Sequence, residues 1–276
     1  HQQHDVRNMS DILSKIIQTK QREVAQKKQS VPFTKIRSQS EIMPAPLGFA
    51  AKLTQAAAQK VPGVIAEVKK ASPSKGVIRE HFEPVSIASS YAQSGACCLS
   101  VLTDEKYFLG SDDYLIDIRE TVDLPILRKD FMIDEYQIYE SRALGADCIL
   151  LIVAALDHKR LCALYQVATD LGMDVLIEVH DRQELDVAID LSPQIIGINN
   201  RNLRTFKTSL DTTIDLLPHI PAHTTVVTES GLSTRADIQR MQANHVYCFL
   251  VGEAFMRAEF PGEALADLFF NSGANQ

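Results

Sequence analysis

From Val64 onward the chain repeats one unit: a short, almost unbroken apolar run, then a segment whose apolar residues recur every three or four positions. Eight such runs occur, at Val64–Val68, Cys97–Leu102, Ile126–Leu127 with its flanks, Cys148–Val153, Val175–Ile177, Ile195–Ile198, Thr225–Val227 and Tyr247–Val251. Runs that do not alternate polar with apolar residues predict strands covered on both faces, as in a parallel sheet. The segments between them predict helices at Pro84–Gln93, Asp134–Leu144, His158–Leu171, Arg182–Leu191, Thr234–Gln242 and Gly262–Phe270. Gly95, Gly145 and Gly172 sit where a left-handed cap would stop the helix before the next strand. Strict βα alternation over roughly 200 residues fits a closed (β/α)8 TIM barrel. An open doubly wound sheet is the alternative. It seldom uses so many units, and it would want a GxGxxG loop after its first strand, which this chain lacks.

Residues 9–60 lie outside the repeat and predict an N-terminal helical extension packed on the barrel of residues 61–276, with the barrel mouth as a candidate face, the whole forming a single domain. Ser10 and Asp11 open an amphipathic helix through Ile12, Leu13, Ile16, Ile17 and Val24. Pro32 to Pro46 reads as a broken stretch, and Phe49–Gln59 reads as helical again. Residues 1–8 are expected to be a cloning remnant or a disordered leader, with Met9 as the natural start. They show no secretory signal, and no apolar stretch of the chain is long enough to span a bilayer.

The net charge of -7 argues against a nucleic-acid surface but leaves a small anionic substrate open. The five cysteines form no CxxC pair, and Cys97, Cys98, Cys148 and Cys248 lie in apolar runs. Reduced core thiols in a cytoplasmic setting are expected rather than disulfides. The histidines show no HExxH spacing, so neither a metal nor a cofactor is expected.

In a barrel of this kind the reactive face lies at the C-terminal ends of the strands. Ionisable residues gather there: Glu67 and Lys69 after the first run, Lys129 and Asp130 after the third, and Glu178 after the fifth. Asn199, Asn200 and Arg201 follow the sixth run, Glu229 the seventh, and Glu253 the eighth. Successive side chains of a strand point to opposite faces, so Glu67 and Lys69 emerge together as an acid and a base. Each position also has a plainer reading. Lys129-Asp130 could be a surface turn, and Tyr107 and Phe108 could be loop core or a substrate wall. His180 could be a general base, although capping the helix after the fifth strand is the preferred reading. Glu178 lies between apolar neighbours, where an unpaired carboxylate is costly, so a polar barrel interior suits it. Gly231 and Gly252 follow the last two strands, where many barrels hold a phosphate on backbone N–H groups, and Ser72 could add a hydroxyl. The small residues Ala71 to Gly76 predict a loop, with the character of a lid over the site.

Several runs together resemble the indole-3-glycerol-phosphate synthase family. They are Ile65-Ala-Glu-Val-Lys-Lys-Ala-Ser-Pro-Ser74, Leu102-Thr-Asp-Glu-Lys-Tyr-Phe108, Pro125-Ile-Leu-Arg-Lys-Asp-Phe131, Leu176-Ile-Glu178, Ile196-Gly-Ile-Asn-Asn-Arg-Asn-Leu203, Thr228-Glu-Ser-Gly231 and Phe249-Leu-Val-Gly252. The resemblance runs in order from about Met9 to Phe270. It implies ring closure, decarboxylation and dehydration of 1-(2-carboxyphenylamino)-1-deoxyribulose 5-phosphate in tryptophan biosynthesis, without a cofactor. It further implies Lys129 as the acid at the sugar carbonyl. Glu178 and Lys69 would share the proton transfers of the dehydration, with Glu67 organising Lys69. Arg201 and Lys69 would hold the anthranilate carboxylate, and Asn199 and Glu229 the sugar hydroxyls. Phe108, Phe131, Leu150 and Leu203 would wall the aromatic ring. Ser72, Ser230, Gly231, Gly252 and Glu253 would hold the phosphate, with Glu253 the least comfortable of these because its carboxylate lies beside a dianion.

The partner implied is therefore a small phosphorylated molecule, with no nucleic acid and no membrane. A monomer or weak oligomer is expected, leaving room for a complex in trans with other tryptophan-pathway enzymes. The rivals are a Schiff-base aldolase or sugar-phosphate isomerase on a related barrel, and a non-catalytic barrel. The last would be expected to lose one of Glu67, Lys69, Lys129 or Glu178.

Overall fold

The computed structural model describes residues 9–271, so the expectations for residues 1–8 lie outside it. Among the described residues ten strands form: β1 (Gly63–Val68), β2 (Ala71–Ser72), β3 (Gly76–Val77), β4 (Cys98–Leu102), β5 (Ile126–Lys129), β6 (Cys148–Ile152), β7 (Asp174–Val179), β8 (Ile195–Asn199), β9 (Thr225–Glu229) and β10 (Cys248–Val251). Eight of them close a parallel barrel in chain order, with β10 pairing back onto β1. The other two, β2 and β3, make a small antiparallel hairpin, so the predicted loop after the first strand carries local pairing of its own.

Twelve α-helices accompany them: α1 (Asp11–Ser30), α2 (Phe33–Glu41), α3 (Phe49–Gln59), α4 (Pro84–Gln93), α5 (Asp112–Thr121), α6 (Glu135–Leu144), α7 (His158–Asp170), α8 (Arg182–Ile189), α9 (Asp211–Leu216), α10 (Arg235–Ala243), α11 (Glu253–Met256) and α12 (Pro261–Phe269). Ser10 caps α1 by accepting from the Leu13 N–H. Gly95, Gly145 and Gly172 all take positive φ at the ends of α4, α6 and α7, the caps the sequence suggested. The stretch from Pro32 to Pro46 is corrected by α2. Pro32 sits at its N-cap, where a missing N–H costs nothing, and the helix packs on α6.

Two apolar cores follow from the strand alternation. Outward residues such as Val64, Leu99, Ile149, Ile177 and Phe249 pack beneath the surrounding helices. Inward residues Ile65, Cys98, Leu127, Cys148, Leu176, Val227 and Cys248 fill the lower barrel. Phe49, Ala50 and Leu53 of α3 join this inner core, and the Ala50 N–H donates to Asp174 at the start of β7, so α3 plugs the N-terminal end. Leu13 and Ile17 of α1 join it from the opposite end. All five cysteines are free thiols, with Cys98, Cys148 and Cys248 buried, and Cys97 and Cys162 half-buried. Among the described residues no helix is long and apolar enough to cross a membrane.

Candidate active site

At the C-terminal end the barrel interior changes character. The last inward position is Glu67 on β1, Lys129 on β5, Glu178 on β7, Asn199 on β8 and Glu229 on β9, so one layer of the barrel is polar. These five side chains line one pocket. The same pocket takes in Lys69, Ser72, Phe108, Phe131, Leu150, Arg201, Leu203, Ser230, Gly231, Gly252 and Glu253. Every site residue expected from the sequence is thus brought to one place. Three more lining residues, Ile12, Leu13 and Ile16, come from α1. The helix and its candidate place over the barrel mouth were legible in the sequence, and these three side chains give that place its residues.

Glu67 is the hub. Its Oε2 accepts from Lys129 Nζ at 2.9 Å and from Ser100 Oγ at 2.7 Å, while Lys69 Nζ lies 3.6 Å from Oε1. The acid therefore holds Lys129 more closely than Lys69, the residue it was expected to organise. Burial opposes charge on Glu67, yet Lys129, Lys69 and the Ser100 hydroxyl keep its carboxyl below the ordinary range. Burial also opposes charge on Lys129, but Glu67, Glu229 and Glu178 together raise it above an ordinary lysine. Lys69 goes the other way. Burial lowers it, Glu67 only partly restores it, and Lys129 and Arg201 lower it further. The pocket thus holds one firmly charged ammonium and one that releases its proton more readily.

Glu229 is pushed well above the usual carboxylate range by burial and then by neighbouring Glu178. Two carboxyls this close cannot both ionise cheaply, and that repulsion adds to burial in raising Glu229. Gly197 makes the arrangement possible, because a Cβ there would stand 2.5 Å from Glu229 Oε2. Sequence reading passed over this glycine, since the demand on it comes from the adjacent strand.

The loops after β9 and β10 form the other wall. Ser230 and Gly231 both take positive φ, at 73° and 79°, turning successive backbone units towards the cavity. Ser230 Oγ donates to Asn199 Oδ1 at 2.8 Å, tying this loop to β8. A Cβ on Gly252 would stand 3.0 Å from the Glu67 Cβ, so close strand packing as well as any ligand requires glycine there. Glu253 begins α11, and its carboxylate pairs with Arg201 at 3.4 Å and Arg257 at 3.0 Å. Burial disfavours its charge, but these arginines hold Glu253 below the usual range. Their cations offset the negative charge that made the position awkward beside a phosphate.

Neighbouring residues with plainer roles also separate. Arg128 points outward and is buried at 2% exposure among Asp112, Glu140 and Thr103. Asp130 is buried rather than part of a surface turn, and pairs with Lys20 of α1 at 2.8 Å. Tyr107 is fixed by a hydrogen bond between its hydroxyl and Thr19, whereas Phe108 faces the pocket with its ring 5.8 Å from that of Phe131. Asn200 is a strut, donating to Thr228 and to the Ser230 carbonyl. The preferred reading of His180 is corrected. Asp181 caps α8, accepting from the Glu184 N–H, and His180 instead lies between Glu184 and Glu178.

Comparison with known proteins follows the same outline. Residues 13–268 match the family model described as indole-3-glycerol phosphate synthase. A protein of that name from Laribacter hongkongensis is 56% identical over 262 residues, covering 95% of this chain and 100% of its own length. One from Chromobacterium violaceum is also 56% identical over 262 residues, covering 95% of this chain and 99% of its own. Among solved structures, KGPDC from Streptococcus mutans superposes with a TM-score of 0.58 at 13% identity, over 75% of this chain and 95% of that one. That likeness concerns the barrel fold alone.

Proposed function

The chain belongs to the indole-3-glycerol phosphate synthase family, and from that membership we propose the division of labour at its barrel mouth. The family is a decarboxylating lyase of tryptophan biosynthesis. It converts 1-(2-carboxyphenylamino)-1-deoxyribulose 5-phosphate to indole-3-glycerol phosphate, carbon dioxide and water. The observation that carries the residue roles is the pair of unlike ammonium groups flanking Glu67.

The aniline nitrogen pushes electrons into its ring, and the ring carbon bearing the carboxylate attacks the sugar ketone. Lys129 stands as the acid at the ketone oxygen. Its charge, held by Glu67, stabilises the oxyanion as it forms, and the proton moves across once that oxygen has become strongly basic. Loss of carbon dioxide restores the aromatic ring. Dehydration then needs one proton delivered to the departing hydroxyl and one removed from the methylene beside nitrogen. Lys69, whose proton is held less firmly, suits the first task, and Glu178 suits the second. Arg201 and Lys69 are assigned to the anthranilate carboxylate, with Asn199 and Glu229, whose carboxyl burial pushes up, at the sugar hydroxyls. Phe108, Phe131, Leu150 and Leu203 form the apolar wall. Ser72, Ser230, Gly231, Gly252 and Glu253 form the phosphate end, with contact at Gly252 and Glu253 through backbone N–H.

Because α1 contributes to the pocket wall, residues 9–60 and 61–276 act as one catalytic unit in this reading. The free thiols suit a reducing, cytoplasmic compartment, where a monomer or a weak complex with pathway neighbours would operate. Supplying the carboxyphenylamino substrate should generate indole fluorescence without added metal or cofactor, and its absence would defeat the reading. Borohydride added with substrate should trap no adduct at Lys129, as it would in a Schiff-base aldolase. Removing the substrate phosphate should raise KM by at least about tenfold, since a bidentate or nested anion contact contributes on the order of 1.5–3 kcal/mol. An unchanged KM would exclude the phosphate end as drawn.

A further inference from the structure

His180 belongs to none of the roles above, yet its surroundings are unusual. It does not line the pocket; it sits behind Glu178, which does. Its Nδ1 lies 3.0 Å from Glu184 Oε1, and its backbone N–H donates to the same oxygen at 3.1 Å. A carboxylate can only accept, so Nδ1 carries a proton. The other ring nitrogen, Nε2, is buried, has no hydrogen-bond partner among the described residues, and lies 3.7 Å from Glu178 Oε2. A neutral Nε2 would turn its lone pair towards a carboxylate in a poorly solvated place, which is repulsive. A protonated one is attracted to it.

We infer that His180 is a positioning residue for this reaction: clamped by Glu184, its imidazolium holds the Glu178 side chain directed into the pocket. The inference rests on the reading of Glu178 as a proton carrier. Of the pocket carboxyls, the one that Nε2 faces is Glu178. The charged groups facing His180 are Glu178 on its own strand end, and Asp181 and Glu184 at the start of α8. The short turn Val153–Ala155 packs against both elements with apolar side chains only. Burial opposes the imidazolium, but the Glu184 hydrogen bond and then Glu178 raise His180 above an ordinary histidine.

The test compares His180→Gln, Glu184→Gln and Glu178→Gln by kcat, KM and the pH dependence of kcat. His180→Gln should lower kcat about tenfold or more with KM changed less than about threefold, and should move the acid limb of kcat to higher pH. Glu184→Gln should move both in the same direction by less. A kcat within twofold of the parent in His180→Gln, with an unmoved acid limb, overturns the inference if Glu178→Gln is inactive. Should Glu178→Gln itself be fully active, the reading of Glu178 fails first, and the inference with it. A measurement on the unaltered protein does not depend on variants folding: the His180 ring should carry protons on both nitrogens by NMR at pH 7. A neutral ring there would also overturn the inference.

Discussion

Lys129→Ala should leave the barrel folded and lower turnover by at least about 10²-fold, the usual contribution of a placed acid. The two halves of that expectation come from different contacts. Glu67 loses its 2.9 Å partner, but keeps the Ser100 hydroxyl at 2.7 Å and Lys69 at 3.6 Å, so it is not stranded. Lys69 would then become the sole ammonium partner of Glu67 and be held more tightly, which weakens it as the second acid. Turnover therefore falls at both the ring closure and the dehydration. Rates followed by indole fluorescence, with circular dichroism as the control for folding, decide the matter. Near-normal turnover in a folded variant would sink the assignment of Lys129.

Much of this was readable in advance, and the exceptions have physical causes. Leu127 fills the inner core, so alternation along Leu127-Arg128-Lys129 already puts Lys129 on the inner face and Arg128 outside. That rule works because a strand's alternation is local. The partners are not. Asp130 is met by Lys20, Arg128 by Asp112 and Glu140, and Glu229 by the space at Gly197. Nothing in a short window of sequence encodes such pairings. The α2 helix was obscured for a related reason. Proline reads as a breaker, but at Pro32 it stands just ahead of the helix, and packing on α6 supplies the rest. His180 posed the same difficulty: the cap of α8 is the next residue, Asp181, which accepts from the Glu184 N–H.

The contact between α1 and the barrel carries the second large expectation. Lys20 is 5% exposed, and its ammonium lies 2.8 Å from both Asp104 and Asp130 and 2.9 Å from Glu23. Asp130 adjoins Lys129, and Asp104 accepts from the Tyr107 N–H in the loop that carries Phe108, so one cation ties α1 to two walls of the pocket. Lys20→Met keeps the aliphatic stem and removes the charge, leaving two buried carboxyls facing each other. Breaking a buried pair in this way costs about 3–5 kcal/mol. Urea denaturation should show that loss, and KM should rise because Ile12, Leu13 and Ile16 of α1 line the pocket. Adding Asp104→Asn should recover part of the stability. Asp104 is the better choice, because burial and neighbouring Asp130 already raise it, whereas Asp130 is held below the usual range, against its burial, by Lys20 and Arg128. The same contrast fixes the pH dependence. A depressed carboxyl contributes stability above its unfolded value and loses it as pH falls through the folded one, so the Asp130 share should fade as pH drops below the ordinary carboxylate range. A stability loss below about 1 kcal/mol in Lys20→Met would mean that α1 is held by its apolar face alone.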